Sequence, residues 1–180
     1  MKNVALALLL LALLKEAKAQ YKPVEEKSSV QFKVKTFGIS VNGTFRGIDG
    51  TIMFDPNHLN DSKFDVSVDA NSIDTDNSLR DGHLRNDPFF DVKDYPRIHF
   101  VSTRIATSSK KGILLIYGKL SIKKQTRDIS FPFTAEPVAD SYMFKGTFTV
   151  NRKDFEVGET SVISDNVEVS LNVFASKQNL

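Results

Sequence analysis

The chain contains no cysteine. That excludes disulfides, thiol catalysis and an acylated lipoprotein cysteine behind an export signal. Tryptophan is also missing, and tyrosine is sparse, with 4 residues against 14 phenylalanines. Phenylalanine has no polar handle, so most of these rings are expected to face an apolar interior. Only 3 histidines occur, His58, His83 and His99, and their spacings match no metal-binding pattern. There is no GxSxG elbow, no phosphate-cradling glycine loop followed by Lys-Ser, and no HExxH. On these grounds no catalytic residue, no metal ligand and no cofactor is assigned.

Long apolar runs are missing as well, except at the start. MKNVALALLLLALLKEAKA has a basic start at Lys2, an apolar run from Val4 to Leu14, and Ala17 and Ala19 spaced as a small-residue cleavage site. Residues 1–19 therefore read as a cleaved secretory signal peptide. Nothing later approaches the roughly 18 apolar residues that a membrane-spanning helix needs. Without the signal, the 24 basic and 22 acidic residues become 21 and 21, and the net charge falls from +2 to zero. A neutral mature chain gives no reason to expect nucleic acid or an anionic membrane surface as partner. Residues 20–180 suit a single domain large enough to bury a core without staples.

What the chain does have is period-two alternation. SVQFKVK sets Val30, Phe32 and Val34 against Gln31, Lys33 and Lys35, as a half-buried strand requires. Gly38 breaks this run. VNGTFRGIDGTIMFD then predicts two short strands meeting at a tight turn near Asp49-Gly50, with its glycines also able to form the bulges that bend a sheet. KFDVSVDA, RIHFVSTRI, GILLIYGKLSI, DISFPFTAE and YMFKGTFTV follow. NVEVSLNVFA shows the clearest alternation, with Val167, Val169, Leu171 and Val173 inward. Eight or nine such strands with short turns predict an all-β antiparallel barrel or sandwich. A closed barrel of about eight strands has room for packed side chains or for one slender ligand.

One stretch departs from this pattern, RDGHLRNDPFFD, from Arg80 to Asp91. Ser78 followed by Asp81 resembles a capping box, so a short helical segment is predicted near residues 78–86, stopped by Pro88. Its charges admit two readings. Arg80, His83 and Arg85 could meet a polar head group at a barrel mouth, since guanidinium offers paired donors to anionic oxygens. Alternatively, Arg80 and Asp81 satisfy strand ends that would otherwise lack partners, which is the favoured reading. Asn151 and Arg152 carry the same ambiguity. His99, alternating with Ile98 and Phe100, is expected to point away from their face, and His58 lies in the polar turn PNHLND.

Taken in order and spacing, SSVQFKVKTFGISVNGTF, GTIMFDP, NSIDT, RDGHLRNDPFFDVKDYPRIHFVS, GKLSIKKQTRDISFPF, NRKDFEVG and SDNVEVSLNVFA resemble the YceI-like family of exported polyisoprenoid-binding proteins. Arg80, Asp81, His83 and Leu84 fall on the family's Arg-Asp-x-His-Leu pattern, and Asn151 and Arg152 on its Asn-Arg pair. Two positions depart. Lys35 stands where many members have histidine. Lys124 replaces a glycine, placing a residue that resists positive φ in a predicted turn. The resemblance implies an extended, lipocalin-like barrel, a periplasmic location, and an interior that holds a long isoprenoid, polyprenyl or quinone, for transport, storage or sequestration without performing chemistry on it.

In that reading Phe32, Phe45, Phe54, Phe100, Phe131, Phe133, Phe144 and Phe148 would line an apolar tunnel, with Arg80, His83, Arg85 and Arg152 as its polar mouth. Burial alone would supply affinity, at about 25 cal/mol per Å² of apolar surface. Two other readings stand beside it: a filled barrel that binds a partner protein under stress, and an exported enzyme acting on a lipid. Two barrels could also pair as a homodimer through exposed edges.

Overall fold

The structure is a computed structural model that describes residues 19–159 and 162–178. The expected signal peptide therefore lies outside the described residues, apart from Ala19. The alternating segments form nine strands: β1 (Gln20–Pro23), β2 (Ser29–Thr36), β3 (Ile39–Met53), β4 (Lys63–Asp74), β5 (Arg97–Thr107), β6 (Leu114–Ile122), β7 (Gln125–Val138), β8 (Ser141–Asn151) and β9 (Asn166–Lys177). Neighbours are antiparallel in the order β1-β3-β2-β9-β8-β7-β6-β5-β4, and pairing of β3 with β4 closes the ring. β1 and β2 share one place in it, because each pairs with both β3 and β9 at a different level. The result is the expected closed antiparallel barrel of eight strand positions. β1 was not foreseen: its four residues, QYKP, are too few to show a period.

The turn expected near Asp49-Gly50 is not formed. β3 instead runs unbroken for 15 residues, and its hairpin with β2 turns at Phe37-Gly38, both with positive φ. The glycines serve the β3–β4 seam. A Cβ on Gly50 would stand 2.2 Å from the Asp65 carbonyl oxygen, so only glycine fits there. Register shifts between Thr44, Arg46 and Asp49 bend the strand as bulges do and help close the barrel.

The one α-helix among the described residues, α1 (Ser78–Leu84), lies where the sequence placed it, but its cap differs. Asn77 is the N-cap and accepts from the Arg80 amide. Asp81 does not reach back to the helix start. Its carboxylate accepts from the Thr75 amide at 2.9 Å and from the Thr75 hydroxyl. Arg80 Nε donates to the same hydroxyl at 2.7 Å and Nη2 to the Thr75 carbonyl at 2.6 Å. Helix and strand end are latched at one residue.

α1, the Phe37-Gly38 turn, the β6–β7 turn and the connection from β8 to β9 gather at one end of the barrel. β1, the β3–β4 connection and the β5–β6 and β7–β8 turns occupy the other.

Candidate functional site

The barrel interior is not uniform. Toward the β1 end it is filled by a buried cluster that includes Tyr21, Ile52, Phe54, Phe64, Ile105, Ile116, Phe133 and Phe144. The rings pack edge to face, with centroids 5.0 Å apart for Phe64–Phe144 and 5.3 Å for Phe54–Phe144. Toward the α1 end the interior is hollow. A cavity of about 460 Å³ lies there, within the range of small-molecule sites.

Aliphatic residues from nearly every strand wall this cavity, among them Val34, Val66, Leu120, Val169 and Leu171. Three of its aromatic residues lie back against the wall over glycines. Phe32 lies over Gly43, where a Cβ would stand 2.3 Å from the ring, and Phe100 over Gly118, where the separation would be 2.5 Å. Phe131 sits against Gly146 and stacks on Phe148 with centroids 4.2 Å apart. The wall also widens. β7 and β8 are paired only from Phe133 with Gly146 outward to the turn, so residues 125–132 and 147–151 form no ladder with each other. The ladder ends beside Pro132, which has no N–H to extend it. Phe155, buried in the short 3-10 turn Arg152–Phe155, packs into a second cluster with Phe89, Leu120 and Val150 that encloses this end.

Of the eight phenylalanines expected on the wall, the structure brings Phe32, Phe45, Phe100, Phe131 and Phe148 to the cavity. Phe54, Phe133 and Phe144 lie in the filled half instead, although Phe133 pairs directly with Gly146. Phe89 and Phe90, left out of the expected lining, are on it, and Phe90 meets Phe45 edge-on at 5.4 Å. Nothing in their local pattern marked them as inward, since they come from the one non-strand segment.

The polar groups divide in the same way. Arg80 and His83 reach the cavity, and the His83 ring stands 5.0 Å from that of Phe89. Arg85 does not: its Nε and Nη2 donate to the carbonyls of Asn71 at 2.8 Å and Ile73 at 2.9 Å, which ties α1 to β4. Arg152 is 5% exposed and borders the cavity, but its guanidinium is occupied. It donates to the carbonyls of Ser164, Val157, Gly158 and Ile163 and meets Asp165 at 3.4 Å. It holds the β8–β9 connection over the end of the barrel.

His99 points outward as expected, with Nε2 2.7 Å from Asp65 Oδ1, and His58 pairs with Asp55 at the opposite end. Among the described residues no three His, Asp or Glu side chains gather as a metal site. At the rim, Lys124 bonds Glu156, which holds the Glu156 carboxyl below the usual carboxylate range and raises the Lys124 ammonium. The positive φ of this turn falls on Lys123, so lysine at position 124 costs no backbone strain.

Several known proteins share this architecture. A UPF0312 protein of Shewanella denitrificans is 33% identical over 159 residues, which span 84% of this chain and 83% of that protein. Burkholderia cenocepacia BcnA, at 24% identity, superposes with a TM-score of 0.81 over 86% of this chain and 99% of its own. A polyisoprenoid-binding domain from Saccharophagus degradans, implicated in plant cell wall breakdown, superposes with a TM-score of 0.74 at 15% identity, over 88% of this chain and 98% of its own. The YceI-like domain matches residues 21–175, and the chain belongs to that family.

Proposed function

We propose that the mature chain is an exported, periplasmic binding protein that holds one isoprenoid lipid in the hollow half of its barrel, to carry or sequester it, and performs no chemistry on it. The observation that carries this reading is the cavity: it is enclosed by strands and walled almost wholly by aliphatic and aromatic side chains. Such a space favours an apolar guest through burial and offers few directional bonds. Arg80 and His83 stand at its edge, where a hydroxyl, quinone or phosphate head would meet donors.

Exposed apolar side chains at the same end, Phe37 at 77% and Ile39 at 71% exposure, give a guest an apolar route past the rim. Kinship with a polyisoprenoid-binding domain agrees with this choice of guest. An enzyme acting on a lipid would need a base beside a nucleophile. Here His58 is engaged by Asp55 at the opposite end, and His99, which borders the cavity beside Ile98 and Phe100, is engaged by Asp65.

Native mass spectrometry of protein recovered from a periplasm, followed by solvent extraction, tests the proposal. A stoichiometric isoprenoid that leaves with the solvent is expected. An empty protein that also takes up no added quinone or polyprenyl phosphate would overturn it and turn attention to protein partners.

A further inference from the structure

We propose that the α1 end of the barrel is a membrane-docking face: Phe37, Ile39 and Leu79 enter the interface of a zwitterionic bilayer and bring the cavity mouth to the lipid that holds its guest, an inference that rests on the binding reading above. Among the described residues five large apolar side chains are exposed, and four of them lie at this end: Phe37 at 77%, Ile39 at 71%, Leu79 at 87% and Val162 at 39%. Only Val138 lies at the other. The four come from three separate elements, the β2–β3 turn, the first turn of α1 and the β8–β9 connection. Each stands beside the cavity wall. Thr36 precedes Phe37, Val41 follows Ile39 by two positions on β3, Arg80 follows Leu79, and Val162 is itself on the wall. Phe37 and Val162 are also tied together, since the Phe37 amide donates to the Val162 carbonyl at 3.0 Å.

Phe37 is the clearest sign of a partner. It holds a φ of 52° at the hairpin tip, a left-handed conformation that asparagine or glycine adopts at less cost than an aromatic residue. Neither backbone preference nor packing accounts for an exposed ring there. Apolar groups exposed together mark interaction surfaces. A bilayer suits these better than a protein does: they sit on separate elements around an opening, where a fluid interface closes about each, whereas a protein partner needs one complementary packed surface. A bilayer also holds the isoprenoid, so a mouth seated on it spares the guest a passage through water. Residues 20–180 carry no net charge, and the charges beside the apolar groups are of both signs, Lys35 near Phe37 and Asp76 near Leu79. The attachment is therefore apolar and needs no anionic lipid.

The chain has no tryptophan, so a single introduced one reports its own surroundings. Phe37→Trp, Leu79→Trp and Val138→Trp variants of the mature chain are titrated with phosphatidylcholine vesicles, with and without bromine in the acyl chains. Emission from the first two should shift to the blue and be quenched by the brominated lipid, while that of Val138→Trp should stay as in buffer. Either of the first two carries the test if the other folds poorly. In Phe37→Asn, co-sedimentation with the vesicles should weaken roughly tenfold or more. Its urea midpoint should hold or rise, which a merely structural role for Phe37 would not allow. No co-sedimentation of the wild-type chain, equal quenching at both ends, or association that high salt abolishes would overturn the docking face. A blue shift that grows with protein concentration in the absence of vesicles would overturn it too, and assign the patch to a second copy of the chain. Uptake of farnesol from cyclodextrin by the wild-type chain is read separately. Uptake without vesicle association overturns the docking face alone, and failure of both overturns the binding reading as well.

Discussion

The two halves of this barrel are built from the same strands and held together by different means. In the half near β1, aromatic and aliphatic side chains meet across the lumen, and cohesion comes from apolar burial and ring contacts. In the half near α1, rings lie back on glycines, β7 and β8 part, and the lumen is left open. That half recovers order through polar fastenings around its rim: Asp81 and Arg80 on Thr75, Arg85 on the end of β4, Arg152 on the β8–β9 connection. A cavity removes contacts from every residue around it. Buried charges bonded to loop carbonyls can hold the walls without filling the space. The Arg-Asp-x-His-Leu segment and the Asn-Arg pair are thus fastenings first, and Arg80, His83, Leu84 and Arg152 among them also border the cavity.

Truncations should separate the halves most sharply. Phe54→Ala, within the aromatic packing, is expected to cost about 3–5 kcal/mol, whereas Phe45→Ala, on the cavity wall, should cost about 1–2 kcal/mol. Urea midpoints at unchanged m-value measure both, and equal losses would erase the distinction. Next in size is Arg152→Met, which leaves several loop carbonyls without their donor, at a cost of roughly 2–3 kcal/mol. Its signature is regional: amide protection should drop around Ile163 and Ser164 before it drops in the filled half.

Close behind, Gly118→Ala places a Cβ 2.5 Å from both the Phe100 ring and the Val101 carbonyl oxygen. The ring must tip into the lumen and the β5–β6 ladder must shift, so about 1–3 kcal/mol of stability and much of the guest affinity should be lost together. The smallest effect belongs to the exposed Lys124–Glu156 pair. The Glu156 carboxyl titrates below its unfolded value because Lys124 bonds the charged form. Its contribution is therefore complete above the unfolded glutamate pKa and fades as pH falls through the lowered one. In Glu156→Gln that part of the acid limb of a stability-pH profile should disappear, with neutral-pH stability nearly unchanged.

Much of this architecture is legible in the sequence because period-two alternation reports a closed sheet directly. β9 shows it best: Val167, Val169, Leu171 and Val173 are named as inward by spacing alone, and all four border the cavity. Alternation says only that a residue faces the lumen, however. It cannot say whether the lumen at that level is filled, which is why Phe133 and Phe131, two residues apart on one strand, read alike, although Phe131 borders the cavity as well as the packed cluster and Phe133 only the cluster. The glycines beneath the wall rings are not readable from pairing alone: Gly43 pairs with Phe32, but Gly118, which lies under Phe100, pairs with Ser102, and Gly146, which pairs with Phe133, lies under Phe131. The glycines of β3 misled for the same reason: they suggest a turn, whereas they accommodate bulges against β4. Asp81 looked like a helix cap until Thr75, six residues earlier, proved to be its partner.

The central claim, one hollow half and one filled half with the guest confined to the first, is tested most directly by methyl NMR during titration with farnesol. Shifts are expected at Val66, Leu120, Val169 and Leu171 around the cavity, with Ile52, Ile105 and Ile116 of the filled half left in place. Shifts of equal size in both sets, or saturation with none around the cavity, would contradict it.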